Sequence, residues 1–314
     1  MGDPALTNLP IHQTKLFYNY SIDCELPPDG IFGGPATWEV AEASTRGFIE
    51  VMEQWGLIRG ATLFVYPDVA MKQHDLYREM AKHGIEIGLH IHGMRYSRVK
   101  KPAWLGSLGY DDQREIIRMA KQDLEDVIGK PCLGYRACYA SANHYTYPII
   151  QELGFQWAST SASGSYKPEI YARWAGGWPF PYHPSRKNML IPGDLAVYEI
   201  TLTRGLHTFF MGNPDRPLDM RAETPPEIVG PDGKNFRKIM GENLVEMDRV
   251  DQPVRVIIGA SHNTNPYADP LSYQHKNLWH VCHLVRELCQ TRGHEFIPAS
   301  FLQIKEEADR VDAF

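Results

Sequence analysis

What this chain of 314 residues lacks narrows it before any motif is read. Its five cysteines (Cys24, Cys132, Cys138, Cys282, Cys289) are odd in number, and no two form a C-x-x-C pair. Zinc ribbons, thioredoxin-like redox motifs and a disulfide framework are thereby excluded, and the expectation is reduced thiols in a cytoplasmic protein. No apolar run reaches membrane-spanning length, and Met1 to Leu6 contains no basic segment leading into an apolar stretch. Neither a signal peptide nor a membrane partner is expected, which argues against a substrate in an external wall. Lysine and arginine never cluster, and the net charge is -6, so no basic field exists to hold a phosphate backbone and nucleic acid is not an expected partner. Internal repeats and low-complexity segments are absent as well.

What is present is the material of one large globular unit. Hydrophobic residues make up 43% and charged residues 22%, enough to build a full core. Apolar β-branched and aromatic runs alternate with segments of helical spacing. Strands are expected at 16–22, 61–65, 85–90, 155–158, 254–258 and 295–297. Helices are expected at 37–55, 67–83, 112–128, 144–153, 235–247, 271–289 and 300–310, the third introduced by Asp112 and Glu115 at capping-box spacing and ended by Gly129. Strands separated by helices of this length imply parallel pairing with right-handed crossovers, hence an α/β barrel in a single domain over 1–314. Residues 161–193 are rich in Gly, Pro, Trp and Tyr and read as a loop-rich insertion over one end of the barrel.

Three expected strand ends carry groups that can do chemistry, and barrel enzymes gather reacting groups at strand C-termini. Ser21-Ile22-Asp23-Cys24-Glu25 closes the first. Asp23 and Glu25, two apart, share one side of an extended chain and can serve a metal or a proton transfer, or simply begin the turn before Pro27-Pro28-Asp29-Gly30. Leu89-His90-Ile91-His92 places two imidazoles at the same spacing, and imidazole with carboxylate suits zinc or another first-row divalent ion better than calcium. His262 ends the run from Val254, with Asn263 and Asn265 beyond it, a setting for a general acid or base.

Taken in order, these segments resemble the polysaccharide deacetylase (NodB-like, carbohydrate esterase 4) superfamily. Ser-Ile-Asp-Cys-Glu resembles its first motif and Glu86-Ile87-Gly88-Leu89-His90 the approach to its first metal histidine. Gly134-Tyr135-Arg136-Ala137 is similar to its arginine motif and Leu153-Gly154-Phe155 to a strand entry. Pro181-Tyr182-His183-Pro184 with Met189-Leu190-Ile191-Pro192 resembles a later loop and strand. Ser261-His262 is similar to the last motif, and Gly293-His294-Glu295-Phe296 to the closing helix-to-strand step. The resemblance implies a distorted (β/α)7-type barrel and metal-assisted hydrolysis of a non-peptide amide such as an N-acetyl group. Asp23 would be the base, Arg136 the group that keeps it ionised, and His262 the acid. Glu25, His90 and His92 would hold a divalent metal, with zinc foremost.

Three positions depart from that pattern. Met94 stands where the second metal histidine is usual, Cys24 where a second carboxylate is usual, and Cys138 where the arginine motif usually has proline. His92-Gly93-Met94-Arg95-Tyr96 resembles instead the allantoinase-like branch, which works without a cofactor. A cofactor-independent amidohydrolase of ureides or cyclic imides, and a barrel that binds a glycan or metabolite without chemistry, are the competing readings. Arg95, Tyr96, Tyr139 and Trp178 are the expected contacts to a small-molecule or carbohydrate substrate, and self-association into a homo-oligomer is left open.

Overall fold

The computed structural model describes residues 14–312; the N-terminal segment read above for targeting lies outside them. In chain order the elements are β1 (Lys15–Cys24), α1 (Trp38–Gln54), β2 (Ala61–Val65), α2 (Pro67–Lys72), α3 (His74–Lys82), β3 (Glu86–Ile91), α4 (Tyr110–Ile128), β4 (Gly134–Ala137), α5 (Thr146–Glu152) and β5 (Trp157–Ala158). There follow β6 (Tyr166–Lys167), β7 (Ala172–Arg173), β8 (Tyr198–Glu199), β9 (Arg204–Phe209), β10 (Pro217–Asp219), α6 (Pro226–Val229) and α7 (Lys234–Arg249). The chain closes with β11 (Arg255–His262), α8 (Tyr273–Arg292), β12 (Glu295–Pro298) and α9 (Phe301–Asp312).

The main sheet runs β11-β1-β2-β3-β4-β5-β8, every pairing parallel, with β12 also paired to β1. No ladder joins β8 to β11. Thr203 bridges that gap, its amide donating to Ile258 O (3.0 Å) and its hydroxyl accepting from Ile258 N (2.9 Å). The sheet therefore curls into the expected distorted (β/α)7-type barrel, tight along β1 and loose where β5 and β8 are only two residues long.

Local chemistry explains the element ends. Thr37 caps α1 by accepting from Val40 N, Ser272 caps α8 by accepting from His275 N, and Gly129 ends α4 at φ 69°, a left-handed turn that costs glycine little. The capping box expected at Asp112 and Glu115 is corrected. Helix α4 starts at Tyr110 behind Gly109, so Asp112 lies within the first turn, where its charge favours the helix dipole instead. The expected helix 67–83 breaks at Gln73 into α2 and α3. The 161–193 stretch contains the short β6–β7 hairpin, a 3-10 turn at Pro168–Ile170 and isolated β-bridges, and the β9–β10 hairpin that follows has no counterpart among the expected strands.

Large aromatic side chains seal the end of the barrel at the strand N-termini. Trp157 stacks on Phe301 at 4.9 Å and meets Phe64 edge-on at 5.6 Å. Gly134 faces that indole so closely that a Cβ there would lie 1.9 Å from it. Half-buried Glu86, at the start of β3, accepts from Phe301 N (2.7 Å) and Leu302 N (2.9 Å) and so caps α9. With this end filled, the polar interior residues collect at the strand C-termini.

Candidate active site

Strand register brings the separated segments together before any side chain is considered. Asp23 on β1 lies directly beside His262 on β11, and His90 on β3 directly beside Arg136 on β4. Period-two alternation then adds Ser21 and Glu25, His92 and Cys138 to the same interior face.

Arg136 is buried and anchored on every side. Its Nη1 donates to Asp23 Oδ1 (2.7 Å) and Ser21 Oγ (2.9 Å), Nε to Ser159 O (2.8 Å) and Nη2 to Ser159 Oγ (3.0 Å), with Phe64 3.7 Å beneath the guanidinium. Burial acts to raise the Asp23 carboxyl. The charges of Arg136, His90 and His262 outweigh it and hold Asp23 below its ordinary value, ionised near neutrality.

Next to this pair lies a compact donor cluster. Glu25 Oε1 stands 3.0 Å from His90 Nε2, 3.0 Å from His92 Nε2 and 3.4 Å from Cys138 Sγ, and the thiol also touches His92 Nε2. One donor atom from each of the four residues lies within 4.8 Å of the others, and all four are buried. His90 Nδ1 contacts the Arg136 carbonyl at 3.2 Å, which fixes the ring with Nε2 toward the cluster. Burial lowers the His92 pKa and prevails over the nearby Glu25, so this imidazole is neutral, as a ligand must be.

The cluster fits a divalent metal on its own evidence. Glu25 Oε2 is buried without a hydrogen-bond partner, as is His92 Nδ1, and an orphaned buried acceptor costs about 1–3 kcal/mol. Two imidazoles, a carboxylate and a thiol are a donor set for zinc rather than for magnesium or calcium. Met94 is not part of this cluster, in which His92 stands beside His90 and Glu25.

Across the cavity His262 has a partner that sequence reasoning missed. Its Nδ1 lies 2.6 Å from Glu223 Oε1, while Glu223 Oε2 also holds Ser261 Oγ and accepts from Asn265 Nδ2 (3.3 Å). Burial acts against the Glu223 charge, but His262 dominates and carries the carboxyl down to about 2. Burial likewise lowers His262, and Glu223 overcomes it and raises the imidazole above its ordinary value. Glu223 sits in the irregular turn after β10, where no spacing signals it. Cys138 did carry a signal, its i,i+2 relation to Arg136 at a strand end.

These groups line one cavity of about 410 Å³. Of the four expected substrate contacts, only Tyr139 lines it, 46% exposed and near Phe32 and Trp104. The other three do not line it, and their polar or apolar groups are engaged elsewhere. Arg95 pins the 27–33 turn, with Nε 3.0 Å from Asp29 and Nη2 donating to Pro27 O (2.7 Å). Tyr96 is buried with its hydroxyl on Asp123. Trp178 packs edge-on against Phe180 at 5.9 Å.

Residues 34–158 match the family model described as polysaccharide deacetylase. The match covers His90, His92, Arg136 and Cys138, while Asp23, Glu25, Glu223 and His262 lie outside it. No curated protein sequence matches the chain. Among solved structures, a Mycobacterium smegmatis protein assigned as a polysaccharide deacetylase aligns over 97% of this chain and 93% of its own, at 18% identity and a TM-score of 0.62. Puue allantoinase aligns over 98% and 96%, at 12% identity and 0.61. A Pseudomonas aeruginosa PAO1 protein, likewise assigned as a polysaccharide deacetylase, aligns over 96% and 93%, at 13% identity and 0.55. At these identities the structures speak for the fold alone. The matched family is one of hydrolases of non-peptide carbon–nitrogen bonds, so that expectation holds at the level of family. Residues 34–158 are thus similar to the polysaccharide deacetylase family, within a chain that shares its fold with the aligned structures over nearly its whole length.

Proposed function

We propose that this protein hydrolyses the amide bond of an N-acyl sugar or a related small amide, assisted by a divalent metal, zinc foremost, held by Glu25, His90 and His92. The observation that carries the reading is that Asp23 held by Arg136 and His262 held by Glu223 face one cavity beside a buried donor cluster. A bound metal of this kind supplies Lewis acidity toward the acyl oxygen and makes water a better nucleophile near neutral pH.

The chain's own residues do the proton work. Asp23 accepts the proton of the attacking water, and Arg136 keeps it ionised and fixes its second oxygen toward the cavity. His262 donates a proton to the leaving amine. Because Glu223 occupies Nδ1, Nε2 is the nitrogen free to face the substrate. Tyr139 offers an aromatic face at the mouth on which a sugar or small ring can lie.

Asp23→Asn is the first test. On a panel of N-acetylated sugars, linear amides and ureides, turnover by the native protein should be lost in the variant while bound metal is retained. Full activity in chelated protein would favour the cofactor-independent alternative. Tight ligand binding with no product anywhere on the panel would favour a non-catalytic barrel.

A further inference from the structure

The reacting groups occupy only part of the cavity, and the rest of its charged lining has one sign. Lys167 of β6, Arg204 of β9 and Arg221 after β10 all line it. The same three also line an adjoining cavity of about 180 Å³, joined there by Arg216. Four cations therefore line these two neighbouring cavities, the second of which Asp219 and Glu223 also line.

Their counter-charges are few. Asp219 Oδ2 lies 3.0 Å from Arg221 Nε and 3.6 Å from Arg204 Nη2. Glu223 is matched by His262. Arg216 lies on the Phe210 ring at 4.4 Å, without a carboxylate at ion-pair distance among the described residues. Lys167 likewise has no carboxylate partner among the described residues. Arg204 hands its Nη groups to Ser165 Oγ (2.7 Å) and Pro217 O (2.8 Å), but its Nε is buried without any partner. Burial and the neighbouring Arg204, Arg221 and Arg216 all lower the Lys167 pKa, which records the mutual repulsion.

A network built for stability would pair its cations, because bringing like charges together out of water is unfavourable. Such a wall is relieved when a ligand brings the opposite charge, and arginine is well shaped to receive oxyanions. Resting on the amide-hydrolase reading above, we propose that the substrate carries an anionic oxo group, carboxylate or phosphate, that docks against Lys167, Arg204 and Arg221 while its amide lies at the Glu25–His90–His92 cluster.

Calorimetric binding to the Asp23→Asn variant tests this without turnover, using two matched pairs of probes. N-acetylglucosamine 6-phosphate is compared with N-acetylglucosamine, and N-acetylglycine with N-acetylglycinamide. At least one charged member should bind about tenfold or more tighter than its neutral partner. The pair that shows the preference identifies phosphate or carboxylate. Adding Lys167→Ala should collapse the preference, Lys167→Arg should retain it, and 0.5 M salt should erode it. Equal binding within both pairs, no saturable binding of either charged probe, or a preference untouched by Lys167→Ala would overturn the proposal. If the preference holds but the native protein hydrolyses none of the four, the hydrolase reading fails and the anion site stands.

Discussion

At the scale of single residues, three side chains carry separable consequences. Asp23→Asn keeps shape but removes the proposed base, and general acid–base catalysis is worth roughly 10²–10⁴-fold in rate; a steady-state assay on any accepted amide should show a loss of that order. Glu223→Gln acts through His262. In the proposed mechanism the acid form of His262 is the working form, so activity should fall as pH rises through its raised pKa. Removing the Glu223 charge lets that pKa drop, and the alkaline limb of the kcat profile should move to lower pH, with the acid limb set by Asp23 little changed. The same pair links to stability. The Glu223 contribution is present above its ordinary 4.5 and is lost as pH falls toward about 2, whereas that of His262 is present below 6.5 and is lost as pH rises through its raised value. Cys138→Ser tests the fourth donor. Cobalt-substituted native protein should show a thiolate-to-metal absorption band that the variant lacks, and metal affinity should fall by about 10–100-fold, the range seen even for partners one layer out.

Elements decide what the residues can reach. Register between β1 and β11 and between β3 and β4 sets Asp23 beside His262 and His90 beside Arg136, and a one-residue slip would turn each of them away from the cavity. Gly134 holds this part of the sheet together by its absence of a side chain. Its neighbour Trp157 is clamped between Phe64 and Phe301 and cannot retreat. Gly134→Ala should therefore destabilise by at least the 1–3 kcal/mol typical of overpacking, measurable as a lower denaturant midpoint. Strands and helices with strong periodicity were legible in the sequence because burial on one face writes a repeat into it: 61–65 was read to the residue, and α1, α4, α7 and α8 within a few positions. The β8, β9 and β10 segments were not. β8 and β10 are only two and three residues long, β9 pairs with β10 across a register shift, and such pairing by backbone groups imposes little on side-chain type.

For the whole molecule, the cluster is a link between β1, β3 and the end of β4, so an ion held there ties three strands at once. Ligands that bind only the folded state stabilise it by about 4 kcal/mol at a thousandfold excess over Kd. Chelation should lower the thermal midpoint of the native protein, and the shift should shrink in Cys138→Ser; a midpoint indifferent to chelator would show that the four donors hold no ion. No helix among the described residues is long and apolar enough to cross a membrane.

The sequence by itself determined the barrel class and the positions of Asp23, Glu25, His90 and His262, because strand ends after apolar runs announce themselves locally; Arg136 was legible only through the resemblance of Gly134-Tyr135-Arg136-Ala137 to a family motif. Tertiary structure alone decided which groups became partners. Arg95 and Tyr96 look like site residues along the chain but are spent on Asp29 and Asp123. Glu223, Cys138 and the Lys167–Arg204–Arg221 wall come from turns, a strand end and hairpins far apart in sequence. Their meaning lies in distances and in the burial of charge, and neither exists until the barrel has closed.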